Sequence, residues 1–304
     1  MCLLRKGFAA VRSTFDQWLA FQTGLRDSSR ATYRTMAESF LSWCDRRGVR
    51  LMDLTPALIS EYMGEAMAEN SNGVINGRVN MLRAFFTWAV ARKLMESNPC
   101  QRALLPRLQA AKPEKVAFTE PEYRRVLAEL ERGEEGGYEP YWPTATRLGW
   151  HTGLRMGDVA CLSWPQVNLA AGLITVNPRK RQASGQRLEI PIEPELFEHL
   201  SAVPLNPPCE RVLPGMCWQF GDNRARLSSR FALACERAGL PNHSYHSLRH
   251  GFVTRLLNAG IDSVLISSMT GQSIEQIRSY AHVSPAAKAA ALAASRTNAQ
   301  LVTS

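Results

Sequence analysis

Between Pro106 and Pro113 the chain drops the three- and four-residue spacing of apolar side chains that precedes it and runs Pro-Arg-Leu-Gln-Ala-Ala-Lys-Pro. A fresh helix start, Thr119-Glu-Pro-Glu with Thr119 as N-cap, follows shortly after. Such a lapse marks an interdomain linker. Residues 1–108 and 117–304 are therefore expected to fold around separate cores, joined by residues 109–116. The full length of 304 residues accommodates this, since one core is usually served by about 100 to 200 residues.

The first part reads as helical throughout. Phe15, Trp18, Leu19, Tyr33, Met36, Phe40, Leu41 and Trp43 recur at helical spacing, and Val79, Met81, Leu82, Phe85, Phe86 and Trp88 do so again. Gly48, the Asn70–Gly73 cluster and Pro99 are stop signals, which predicts a bundle of four or five helices. This part is also the more basic, with 15 Lys and Arg against 9 Asp and Glu in residues 1–111 and 21 against 18 in residues 112–304, so +6 of the chain's +9 lies in its first third. An excess of that sign favours a polyanionic partner, because each phosphate neutralised by Lys or Arg releases counterions. Arg78 and Arg83, on the helix from Val79 to Trp88, are candidate groove or phosphate contacts; solvated helix-surface charges are the alternative.

Several classes of protein are disfavoured early. No run approaches the roughly 18 apolar residues that a membrane-spanning helix needs, and the start, Met-Cys-Leu-Leu-Arg-Lys, lacks the ordered blocks of a secretory signal, so a cytoplasmic protein is expected. The seven cysteines, Cys2, Cys44, Cys100, Cys161, Cys209, Cys217 and Cys235, are scattered without a C-x-x-C pair. That pattern argues against both a disulfide framework and a zinc site.

Beyond the linker, Tyr141–Thr152 reads as a helix ended by Gly153, with the next helix opening at Gly157-Asp158. Arg155 stands on the sharp turn between them, where Asp158 could hold it. Leu173–Val176 and Arg187–Ile192 are short β-rich runs around a polar stretch, Arg179–Gln186, the pattern of a β-hairpin. The rest is helical, broken at Gly239, Gly260 and Gly271, with an alanine-rich tail from Ala286 to Ala294. The fold class expected is mainly α with a small β-sheet (α+β). His246-Ser-Leu-Arg249-His250 opens a helix running to about Ala259, with Ser244 a possible N-cap. Its spacing puts His246, Arg249 and His250 on one face, and a cationic face at a helix N-terminus suits a phosphate.

Thr-Gly-Leu-Arg155, then His246-x-Leu-Arg249-His250 about 90 residues on, then Tyr280 in Ser-Tyr-Ala-His-Val about 30 further, resembles the catalytic signature of the tyrosine recombinase (phage integrase) family. The resemblance covers nearly the whole chain. It implies an N-terminal helical core-binding (SAM-like) bundle and a catalytic domain that cleaves and rejoins DNA through a covalent 3′-phosphotyrosine. Tyr280 would be the nucleophile; Arg155 and Arg249 would clamp the scissile phosphate; His246 would hydrogen-bond to it or assist proton transfer. Lys180, flanked by Arg179 and Arg181 on the hairpin, would protonate the departing 5′-oxygen, with the alternative of a basic hairpin that only touches the DNA backbone. No cofactor or metal is implied. Chemistry of this kind is largely positioning and charge stabilisation, and a phenol with a pKa near 10 needs neighbouring positive charge to become a nucleophile.

One position departs from the family pattern. Gln272 follows Gly271 where His or Trp is usual, and the stretch to Tyr280 is one residue short. An amide can donate to a phosphate oxygen but cannot take a proton as imidazole does; His250 and His282 are candidates for compensation. The resemblance is to Xer-type or simple integrase and invertase groups, and implies a double-stranded recombination site as partner, with a homo-tetramer, or a tetramer with a related recombinase, in the synaptic complex. Integration, excision, inversion and dimer resolution all remain open. So do a non-catalytic DNA-binding protein that reuses the fold and a type IB topoisomerase.

Overall fold

A computed structural model describes residues 7–25, 27–109, 116–178, 187–203 and 210–280. The chain divides into two compact units, Met1–Pro113 and Glu114–Ser304.

The first unit holds four helices among its described residues: α1 (Gly7–Phe21), α2 (Asp27–Arg47), α3 (Pro56–Met67) and α4 (Asn72–Ala91). Their apolar stripes meet in an aromatic centre, where Phe85 lies edge-on to Phe15 and Trp18 and Phe40 lies edge-on to Tyr62, with centroids 5.2–5.7 Å apart. Edge-to-face pairs of this kind add about 0.5–1.5 kcal/mol each beyond burial. Arg30 closes the end of α1 by donating to the carbonyl of Leu19 and to those of Gln22 and Leu25 just beyond the helix. The segment after α4 is laced back onto it. Asn76 exchanges two hydrogen bonds with the backbone of Leu108, and Asn98 donates to the Arg83 carbonyl and Thr87 hydroxyl.

The second unit contains α5 (Glu120–Glu131), α6 (Trp142–Thr152), α7 (Met156–Ala160), the strands β1 (Val167–Asn168), β2 (Leu173–Val176) and β3 (Leu188–Pro191), then α8 (Pro194–Ala202), α9 (Pro214–Asp222), α10 (Arg224–Arg237), α11 (Tyr245–Asn258), α12 (Ser263–Thr270) and α13 (Ile274–Arg278). The fold is mainly helical with one small antiparallel sheet, ordered β1-β2-β3, in which Ile174 faces Ile190 and Val176 faces Leu188 on the buried side. The two-residue β1 is absent from the sequence reading, because two residues carry no periodicity. Thr119 and Glu122 form the capping box that starts α5. Helix α6 is the centre of the unit, and α11 packs along it at three glycines. A Cβ at Gly149 would come within 2.8 Å of the Tyr245 hydroxyl, one at Gly153 within 2.5 Å of Phe252, and one at Gly251 within 2.6 Å of Trp150.

Of the described cysteines, Cys44, Cys100 and Cys235 are buried free thiols, and burial pushes each of their pKa values up to about 12. No described helix is long and apolar enough to cross a membrane.

Candidate active site

Helix α11 begins with a capping box in which Ser244 and Ser247 satisfy each other's backbone. Tyr245 is the first residue of the helix rather than one before it, and it is a packing residue: its buried hydroxyl donates to the Ala145 carbonyl at 2.5 Å. One position on, His246 is exposed. Arg249, a turn further, is 1% exposed. Its two terminal nitrogens donate to the carbonyl of Gly153 at 2.6 Å and that of Thr270 at 2.7 Å, so a single guanidinium joins the end of α6 to the end of α12.

Both carbonyls belong to helix ends that turn through a left-handed glycine, Gly153 at φ 61° and Gly271 at φ 65°. Immediately beyond Gly153, Arg155 caps α7 in extended backbone, 24% exposed, with Nη1 3.9 Å from Asp158 Oδ2. Asp158 itself is buried. Immediately beyond Gly271, Gln272 is buried, and its amide nitrogen donates to the Tyr280 hydroxyl at 3.2 Å.

Tyr280 follows the five-residue α13 and is 9% exposed. Helix α13 ends at Arg278, two residues before the tyrosine. The Tyr280 ring stands edge-on to His250 with centroids 4.8 Å apart, and His250 stands edge-on to His246 at 4.5 Å. Burial raises the phenol pKa above its ordinary value, while the Gln272 hydrogen bond and the charges of Arg249 and Arg155 pull it down.

The residues singled out in the second unit, Arg155, Asp158, His246, Arg249, His250, Gln272 and Tyr280, come from four separate segments and meet around the ends of α6, α11 and α12. Lys180, Arg179, Arg181 and His282 lie outside the described residues, as does the alanine-rich tail. The backbone acceptors of Gly153 and Thr270 escape the sequence reading, since a main-chain carbonyl has no residue signature. In the first unit Arg83 turns inward, donating to the carbonyls of Cys100 and Leu105 and to Asn80. It is half-buried. Arg78, half-buried, donates to Asn70.

A family model described as the phage integrase family matches residues 117–287, more than half of the chain. The chain belongs to that family. Like the tyrosine recombinases XerC of Mycobacterium sp. (strain KMS) and Mycobacterium tuberculosis (strain ATCC 25177 / H37Ra), it extends over both units: identity is 26% over 293 residues and 25% over 289, each covering 91% of this chain and 95% of the relative. The fold of this phage integrase family member is also that of the Tn1549 transposon integrase in complex with a circular intermediate DNA (TM-score 0.69, 16% identity, 92% of this chain and 98% of that one). A lambda integrase dimer bound to a core site has the same TM-score at 18% identity, covering 88% and 94%.

Proposed function

We propose that this protein is a site-specific DNA recombinase that breaks and rejoins DNA strands through a covalent bond to Tyr280. The observation that carries this reading is the convergence of a tyrosine hydroxyl, two arginines and a histidine on one set of helix ends within a chain of this family. The Tyr280 oxygen attacks the scissile phosphorus and passes its proton to His246 or to water. A 3′-phosphotyrosyl ester forms as the bond to the 5′-oxygen breaks, and Lys180 gives that oxygen a proton. One phosphoester replaces another, so religation by the 5′-hydroxyl needs no nucleotide energy source.

Each residue has a role that follows from its placement. Arg155 and Arg249 neutralise charge developing on the non-bridging oxygens. Arg249 is pre-oriented by the two carbonyls it already touches. His246, exposed at the helix start, hydrogen-bonds to the phosphate or assists proton transfer. Asp158 steadies the Arg155 turn, and His250 supports the Tyr280 ring through their edge-on contact. Gln272 acts on the nucleophile, since its amide meets the phenol oxygen and favours the phenolate over the phenol. Arg78, Arg179 and Arg181 are DNA contacts by charge. The first unit is the core-binding domain, residues 1–108, and the catalytic domain spans residues 117–304. Protomers assemble as a tetramer on two sites, in the cytoplasm.

Covalent trapping tests this. Nicked duplexes tiled from the DNA around the protein's own gene are incubated with the wild-type chain and with Tyr280→Phe, then run on denaturing gels. An adduct formed by the wild type and absent from the variant is the expected result. Binding without any adduct would favour a non-catalytic DNA-binding protein, and relaxation of plasmid lacking a trapped site would favour a topoisomerase.

A further inference from the structure

One carboxylate joins three segments of the second unit. Glu193 lies between the end of β3 and the start of α8. Its Oε2 is 2.7 Å from Nδ1 of His151, near the end of α6, and its Oε1 accepts from Arg255 of α11 at 2.8 Å. An ionised carboxylate only accepts, so His151 donates to it through Nδ1. His151 is buried, and the Arg255 guanidinium lies 4.7 Å from the centroid of the Trp150 ring beside it. Burial works to raise the Glu193 pKa, but the His151 hydrogen bond and the Arg255 charge outweigh it and hold the group ionised.

The segments that meet here carry the proposed chemistry. His151 lies four residues before Arg155, and Arg255 lies six after Arg249. Strand β3 follows the stretch that contains Lys180. Helices α6 and α11 are tied to each other by Arg249 to the Gly153 carbonyl and by Tyr245 to the Ala145 carbonyl. Glu193 adds a further tie, and this one also brings in the segment that follows β3.

We propose that Glu193 is a positioning residue that, through His151 and Arg255, sets the mutual orientation of the Arg155 turn, the Arg249 helix and the strand that follows the lysine. This rests on the recombinase reading. Geometry is where such a residue acts, because a displacement of about 1 Å at a reacting centre can cost about a hundredfold in rate. Binding is held by many phosphate contacts and does not depend on it.

The experiment uses the full chain and a nicked duplex that the wild type traps, measuring three quantities for Glu193→Gln, Glu193→Asp, Arg255→Leu and the Gln/Leu double variant. These are the adduct rate at saturating DNA, the Kd for the same duplex and the Tm. Glu193→Gln should form adduct about tenfold more slowly, which corresponds to about 1.4 kcal/mol, with Kd within about twofold. Glu193→Asp, which keeps the charge on a shorter arm, should recover part of the rate. The double variant should be no slower than the worse single one, since residues of one network are not additive. A wild-type rate in Glu193→Gln, additive losses in the double variant, or rate, affinity and Tm falling in proportion would each overturn the proposal. If the wild type traps no duplex, the recombinase reading falls first and this inference with it.

Discussion

In the first unit the described core closes around rings and aliphatic chains, and its buried polar side chains are Asn76 and Asn98, both lashing one loop to α4. In the second unit a guanidinium, an amide, a carboxylate and three imidazoles lie among the buried groups: Arg249, Gln272, Asp158, His151, His243 and His250. Burying such groups costs several kcal/mol unless each is matched by partners, and a fold that only needed stability would do better with leucines there. The contrast separates a unit whose interior is chosen for cohesion from one whose interior is chosen for geometry. It also says where substitutions should hurt activity and where they should hurt folding.

The sharpest way to break that contrast is Arg249→Ala. It leaves the carbonyls of Gly153 and Thr270 without their donor and removes one of the two proposed phosphate clamps. We expect trapped adduct to fall by about 10²–10³-fold and unfolding free energy by about 2–4 kcal/mol, measured by gel and by urea titration. Stability loss without loss of adduct per folded molecule would show that the buried charge is structural only. In the other unit, Phe85→Ala should cost about 3–5 kcal/mol while leaving the adduct rate at saturating DNA unchanged.

A smaller effect comes from pH. All six histidines lie beyond residue 150. Burial lowers the pKa of His243 and of His199 below the ordinary imidazole value. A group depressed in the folded state stabilises above its unfolded pKa and loses that contribution as pH falls through the folded one. The second unit should therefore weaken as pH drops below about 6.5, with the first unit unmoved. Hydrogen exchange read by peptide at pH 7.5 and 5.5 checks this, and equal loosening of both units would contradict it. Smallest of all, Arg12→Ala removes an exposed ion pair with Glu38 between α1 and α2 and should shift stability by no more than about 1 kcal/mol.

The same contrast explains how much was legible beforehand. Gly153 and the Thr119 and Ser244 caps are local signals, and the helix ends follow them closely. The residues of the second unit converge as the spaced motif implies, because Arg155, Arg249 and Tyr280 stand out by type and position. What stayed hidden was set by tertiary partners. Arg83 looks like a surface charge until the segment after α4 folds back and offers it two carbonyls. His151, Glu193 and Arg255 are far apart in sequence and sit in no motif. Beyond the end of α13 at Arg278, it is likewise tertiary contact that sets Tyr280 against Gln272 and His250.

The contact with Gln272 differs in kind from one an imidazole would make. A neutral amide has no proton to gain or lose in the working pH range, so a hydrogen bond donated from Gln272 to the Tyr280 oxygen does not itself titrate. An imidazole in the same place would change its donor count near its ordinary pKa of about 6.5. The phenol oxygen is thus held by a pH-insensitive donor where the family's pattern has an imidazole or an indole.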